Sequence, residues 1–152
     1  MAREIPEFVK DYLQQCQVMQ LATAMGDQPW ICNVHYVADE NNVLYWVSSP
    51  KRRHSQEIHK NSKAAAAVAV KFPKHPVIGI QIEGDAKVLD DPAEVEKALK
   101  LYDQRYVISQ EFYNKILSAN GPRMYKIVPR VLVLFDEENF PDNSRQELKI
   151  EA

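Results

Sequence analysis

The chain has only two cysteines, Cys16 and Cys32, and no C-x-x-C spacing, so neither a zinc knuckle nor a dithiol redox motif is available to it. Both thiols are expected to be reduced and packed. No surplus of one charge exists either, since 19 basic residues stand against 21 acidic ones for a net charge of −2. That balance draws the molecule neither to nucleic acid nor to an anionic membrane, so no such partner is expected unless a local patch provides for one. No apolar run approaches the roughly 18 residues that read as a membrane span. The opening stretch MAREIPEFVKDYLQ is charged throughout and lacks the apolar centre of a secretory signal, which points to a cytoplasmic location. Repeats and low-complexity segments are also missing. His59 and His75 have no metal-ligand companions at useful spacing, so no metal site is expected.

What the chain does have is 152 residues, 45% of them apolar and 26% charged, the composition of one ordinary soluble domain over residues 1–152. A chain of this size buries roughly 68–70% of the surface its unfolded form exposes, enough for a core without disulfides or metal. Ile5, Phe8, Val9, Tyr12, Leu13 and Cys16 recur at the spacing of an amphipathic helix, with Pro6 in its first turn. Short β-like runs follow over residues 18–24, 29–38 and 43–48, joined across Gly26-Asp27 and a polar stretch at 39–42, and predict three strands linked as hairpins. In the second of these, Trp30, Cys32, Val34 and Tyr36 share one face, while Ile31, Asn33, His35 and Val37 share the other.

The alanine-rich run at 64–70 reads as a strand buried on both faces. A loop at Phe72-Pro73-Lys74-His75-Pro76 precedes the clearest strand, residues 77–89, where Ile78, Ile80, Ile82, Ala86 and Val88 oppose Gln81, Glu83, Asp85 and Lys87. Gly84 within it suggests a bulge or a bend. Asp91-Pro92-Ala93-Glu94 is a helix start, with Asp91 as cap, Pro92 at the first helical position and Glu94 placed for a capping box. A second helical piece at 109–118 stops at Asn120-Gly121-Pro122, a last strand at 124–135 is interrupted by Pro129, and a polar tail begins at Asp136. The expected fold is α+β, with about six antiparallel strands closing into a small barrel and helices at its periphery.

The most informative segment is Ser48-Ser49-Pro50-Lys51-Arg52-Arg53-His54-Ser55. Pro50 suits the first position of a short helix and Ser49 its cap. Four basic residues would then occupy the first turn, where the helix dipole is already positive and carboxylates are preferred by roughly 0.3–1 kcal/mol each. Either this is a solvated basic turn, or an anion such as phosphate compensates the cations, with free amides and two serine hydroxyls converging on it.

With these residues in place, the chain resembles the pyridoxamine 5'-phosphate oxidase-like family of FMN-binding split β-barrels. The resemblance runs from the N-terminal helix through LATAMGDQPWICNVHYV, NVLYWVSSPKRRHSQEIHKN, KAAAAVAV and VIGIQIEGDAKVL to MYKIVPRVLVL, and it is an overall pattern without one diagnostic motif. It implies that the segment after the third strand binds the FMN phosphate. Ser48 matches the family's Thr position, Arg52 its Ser/Thr position, Arg53 its Arg and His54 its Lys. Histidine in the lysine position implies weaker, pH-sensitive phosphate binding. The second strand would lie along the flavin ring through Trp30, Cys32, Asn33 and Val34, with Cys32, Asn33, His35 and Val37 where true oxidases carry an Arg and a Lys. The family's flavin-contacting Gln falls at Gly79, with Gln81 two residues along on the same face. The Arg-x-His element of true pyridoxamine phosphate oxidases has no counterpart in NFPDNSRQELKIEA, so the resemblance stops short of vitamin B6 oxidation.

The resemblance further implies a homodimer with two FMN molecules at the subunit interface. Trp30, Tyr36, Tyr45 and Trp46 are aromatics that a core or a twofold interface would bury. Two functions are expected as alternatives. One is an FMN-dependent oxidoreductase acting on an unidentified small molecule. The other is a non-catalytic binding or sensing module for FMN, another phosphorylated ligand or haem.

Overall fold

Alternation of buried and exposed side chains sets the strands of this chain, in a computed structural model that describes residues 3–150. The elements run α1 (Ile5–Gln15), β1 (Val18–Met25), β2 (Gln28–His35), β3 (Val37–Ala38), β4 (Leu44–Ser48), α2 (Arg53–Lys60), β5 (Lys63–Lys71), β6 (Ile78–Val88), α3 (Pro92–Tyr106), α4 (Gln110–Leu117), β7 (Arg123–Asp136) and β8 (Arg145–Lys149). The strands form one antiparallel sheet in the order β2-β1-β5-β6-β7-β4-β3, with β8 added to β7. The fold is α+β and the sheet curls into a split barrel, with eight strands rather than the six expected. β2 and β3 follow one another in the chain yet end the sheet path at opposite sides. The split runs between them.

The break comes at Tyr36, where a single strand at 29–38 was expected. Tyr36 is fully buried, its amide donates to the Gln17 carbonyl at 2.9 Å, and its hydroxyl donates to the Leu13 carbonyl at 2.7 Å. These bonds tie the chain to the end of α1 instead of to a neighbouring strand. The second extra strand, β8, comes from the polar tail: Gln146 and Leu148 face inward and pair with Leu134 and Leu132.

The barrel interior holds Leu13, Met19, Leu21, Val68, Ile80, Ile82, Ile127, Leu132 and Leu134, with Trp46 and Tyr125 stacked at 5.7 Å. A second cluster lies outside the barrel wall, where α3 and α4 cover Val37, Tyr45, Leu89 and Met124. The expectation that residues 64–70 are buried on both faces is corrected here. Ala66 and Val68 are buried inside, whereas Ala65 and Ala69 are exposed on the outside. Alanine is small enough to sit on either surface, so the run carried no face information.

Gly84 meets the expected bulge. Glu83 pairs with Val131 but Gly84 pairs with Pro129, so Arg130 is the extra residue, on the partner strand. A Cβ at Gly84 would sit 2.4 Å from the Val128 carbonyl oxygen, so this close approach requires glycine. Asp91 caps α3 through the Ala93 amide, but Glu94 makes no capping box and instead pairs with Lys126 at 2.6 Å.

Candidate functional site

The basic segment forms a corner at the open end of the sheet. Its helix begins later than Pro50: α2 starts at Arg53, with Arg52 in the cap position and no side chain capping it. Ser49 therefore does not cap the helix. Its hydroxyl oxygen accepts from the Lys51 amide at 3.2 Å and its carbonyl from the Arg52 amide at 3.1 Å, a local turn that competes with helical geometry. Lys51 and Arg52 are exposed beside the uncapped first turn of α2, where free amides and the dipole favour an anion.

Arg53 is held from two sides. Its Nε donates to Glu57 Oε2 at 2.9 Å, and its guanidinium carbon lies 4.0 Å from the ring centroid of Trp30. Glu57 is 4% exposed, and its other oxygen accepts from the Thr23 hydroxyl at 2.8 Å. The hydrogen-bonded Arg53 guanidinium holds the Glu57 carboxyl below its ordinary range, with the Thr23 hydroxyl adding to this against the opposing effect of burial. Among the described residues, the two terminal nitrogens of Arg53 take no protein acceptor. A planar guanidinium in that state is built to receive a phosphate or carboxylate with two parallel bonds.

His54 differs from the corner's exposed cations in its surroundings. It is 9% exposed, and its Nε2 lies 2.7 Å from Ser48 Oγ. Burial first, and the Arg52 charge second, push its pKa below the ordinary 6.5. The imidazole is turned to Ser48, and the exposed cations of the corner are Lys51, Arg52 and Arg53.

The other candidates divide between two faces of β2. Trp30, Cys32 and Val34 share the inner face with their partners Thr23, Leu21 and Met19. Burial raises the Cys32 thiol pKa, and so it stays a thiol at neutral pH. Asn33 lies on the outer face with Ile31, where it accepts from Gln20 at 2.9 Å. Gln81 is on that outer face too, reached along the row Asn33, Gln20, Ala67, Gln81. Serines 48 and 49, the arginines, His54 and Trp30 are thus brought into one corner, while Asn33 and Gln81 stand across β1 and β5 on the outer surface. β2 is the terminal strand of the sheet path, so one row of its backbone N–H and C=O groups has no strand partner.

That outer surface is uncovered. Ala65, Ala69 and Gln81 are exposed, and Ile31 and Phe72 are 61% and 56% exposed. A hollow of about 220 Å³ lies over Ala67, Gly79 and Gln81, with Phe72 and Phe135 at its rim. Sequence reasoning missed Thr23 and Glu57. The signal for Glu57 was the Arg53 to Glu57 spacing of four residues, which places both side chains on one side of a helix.

The corner offers an anion two exposed cations, a half-exposed arginine, an uncapped helical turn and a serine hydroxyl, and the β2 edge beside it offers unpaired backbone groups.

The comparisons with known proteins agree with the fold. The family model described as Pyridoxamine 5'-phosphate oxidase matches residues 5–138. A UPF0306 protein of Yersinia pseudotuberculosis is 30% identical over 104 residues, covering 67% of this chain and 70% of that protein. Among solved structures, a heme binding protein from Mycobacterium smegmatis superposes with a TM-score of 0.77 at 12% identity, covering 98% of this chain and 60% of that one. A FAD-binding protein from Mesorhizobium loti gives a TM-score of 0.64 at 15% identity, covering 83% and 88%. At such identities the structural likeness speaks for the fold alone. Among the described residues no helix is long and apolar enough to cross a membrane.

Proposed function

Because the chain belongs to the pyridoxamine 5'-phosphate oxidase family, we propose that it is a flavoprotein that holds FMN at the Arg53 corner and serves as an oxidoreductase for a small molecule. The observation that carries this reading is the Arg53 guanidinium, fixed by Glu57 and Trp30 with its terminal nitrogens unengaged. Arg53 and Arg52 neutralise the phosphate, and the Ser49 hydroxyl donates to it. The free edge of β2 from Trp30 to Val34 receives the polar rim of the ring. Bound flavin supplies reversible hydride and electron transfer.

The uncovered face of β1, β5 and β6 is the surface for a second copy of the chain. Its alanines let a partner backbone come close, as an isologous contact requires. Asn33 and Gln81 lie on this face and would meet the ring from the dimer side.

Each candidate base at the corner is engaged by a neighbour. His54 Nε2 lies 2.7 Å from Ser48 Oγ, and Glu57 is bonded to both Arg53 and Thr23. Catalysis would then rest on placement. The same observation favours a second reading, a non-catalytic module for FMN, another phosphorylated ligand or haem, the last being what the M. smegmatis structure of the same fold is named for.

The test is flavin retention and turnover. Arg53→Ala should lose bound FMN while its circular dichroism stays that of the parent, and unchanged flavin content would place the phosphate elsewhere. Reduction of the bound flavin by NADH or NADPH, with reoxidation in air, supports the oxidoreductase. A bound flavin that neither donor reduces supports the binding module.

A further inference from the structure

The carboxylate behind Arg53 is the part of the corner that neither the basic segment nor the core explains. Glu57 is buried, and a buried carboxylate is costly unless each oxygen finds a donor. Here Oε1 takes the Thr23 hydroxyl at 2.8 Å and Oε2 takes Arg53 Nε at 2.9 Å. The guanidinium has two direct anchors, Trp30 from β2 and Glu57 one helical turn along α2, and Thr23 from β1 holds Glu57 in turn. An arginine side chain with 46% of its surface exposed would ordinarily sample many rotamers, and ordering it on ligand binding would cost affinity. Contact with the indole face holds the guanidinium over Trp30, and the Glu57 bond restricts its rotation there.

We propose that Thr23 and Glu57 are positioning residues that pre-set Arg53 for a terminal phosphate, so that this site distinguishes a phosphorylated ligand from its unphosphorylated form. For FMN against riboflavin the proposal rests on the flavin reading above, but the positioning itself requires only a phosphate. Glu57 carries a negative charge and by simple Coulomb attraction and repulsion weakens anion binding at Arg53. Positioning and charge therefore have opposite signs in a substitution series. Glu57→Ala removes both the charge and the anchor, while Glu57→Gln removes the charge yet keeps an oxygen for Arg53 Nε.

The experiment measures FMN and riboflavin affinities by flavin fluorescence quenching in the parent, Glu57→Ala and Glu57→Gln. Positioning requires Glu57→Ala to lose about tenfold or more in FMN affinity, the scale of one charge-assisted hydrogen bond. Its riboflavin affinity should hold within about twofold, and Glu57→Gln should keep the parent's preference for FMN. Tighter FMN binding by both variants, or an equal loss of FMN and riboflavin by Glu57→Ala, overturns the proposal. A second readout needs no flavin: inorganic phosphate titrated into the protein while the Arg53 Nε–H resonance is followed by NMR. That resonance should be protected from exchange in the parent and in Glu57→Gln, lost in Glu57→Ala, and shifted by phosphate wherever it is protected. If the parent binds neither flavin but phosphate moves the resonance, the flavin reading falls and the positioning stands. If the resonance is unprotected in the parent or indifferent to phosphate, the positioning falls.

Discussion

One sheet carries two different outer surfaces in this protein. Over β4 and the start of β7, the outward side chains Tyr45 and Met124 are large and lie beneath α3 and α4. Over β1, β5 and β6, the outward positions include Ala22, Ala65, Ala67, Ala69 and Gly79 beside Gln20, Gln81 and Glu83, and no helix covers them. Size separates the two. Where the chain supplies its own cover, bulky side chains interdigitate with a helix. Where it supplies none, small side chains leave a shallow, nearly flat wall that only a surface of similar flatness can approach closely. The proposed dimer contact follows from that second surface.

The comparison can be pressed hardest by substituting on either side of the same wall. Leu132→Ala, inside the barrel and 1% exposed, should cost roughly 2–5 kcal/mol in urea denaturation. Ala67→Glu, on the open side, should keep the parent's circular dichroism yet sediment as a monomer, because each copy would bring an unpaired carboxylate into an apolar contact. A dimer that survived Ala67→Glu would move the contact to another surface. Between the two lies Thr23→Val, which takes one donor from the buried Glu57 carboxylate and should cost about 1–3 kcal/mol in the same denaturation assay. A loss much below that would mean water replaces the Thr23 hydroxyl and the corner is wetter than the barrel it borders.

The smallest effect concerns pH. The folded His54 pKa is below the unfolded 6.5, so in the window beneath 6.5 the unfolded chain holds a proton that the folded chain does not. Its contribution therefore lowers stability as pH falls from about 6.5 toward the depressed folded value. His54→Asn should flatten the stability curve in that window when unfolding is followed against pH. Glu57 acts separately and lower: its folded pKa is below the ordinary 4.5, so its contribution is complete above 4.5 and lost as pH falls through the lowered value. An unchanged slope in His54→Asn would mean that the imidazole is charged in the folded protein.

Much of the fold was legible because strong periodicities left little choice. α1 and β6 lie within a residue of the expected ranges, and the bulge at Gly84 follows from a glycine inside an otherwise alternating strand. The misses have local causes. Tyr36 has the side chain of a strand residue, but its hydroxyl is claimed by Leu13 of α1 and its amide by Gln17, two residues beyond that helix. Arg145–Lys149 has one strongly apolar residue, Leu148, too few to mark β8. The Ser49-Pro50 cap signal was outcompeted by the turn that Ser49 makes on itself. At the site, the basic segment was visible as a charge pattern, whereas the Thr23 to Glu57 bond joins a strand to a helix far along the chain. Tertiary pairing of that kind leaves no mark in spacing.

The central claim is that one flavin is held per chain in a dimer, at the corner fixed by Arg53. Light scattering during size-exclusion chromatography, with absorbance read in the flavin's visible band after FMN is added and excess removed, tests it directly. The result expected is twice the chain mass, with the flavin co-eluting at close to one per chain. Protein that elutes without flavin, or as a flavin-bearing monomer, would contradict it.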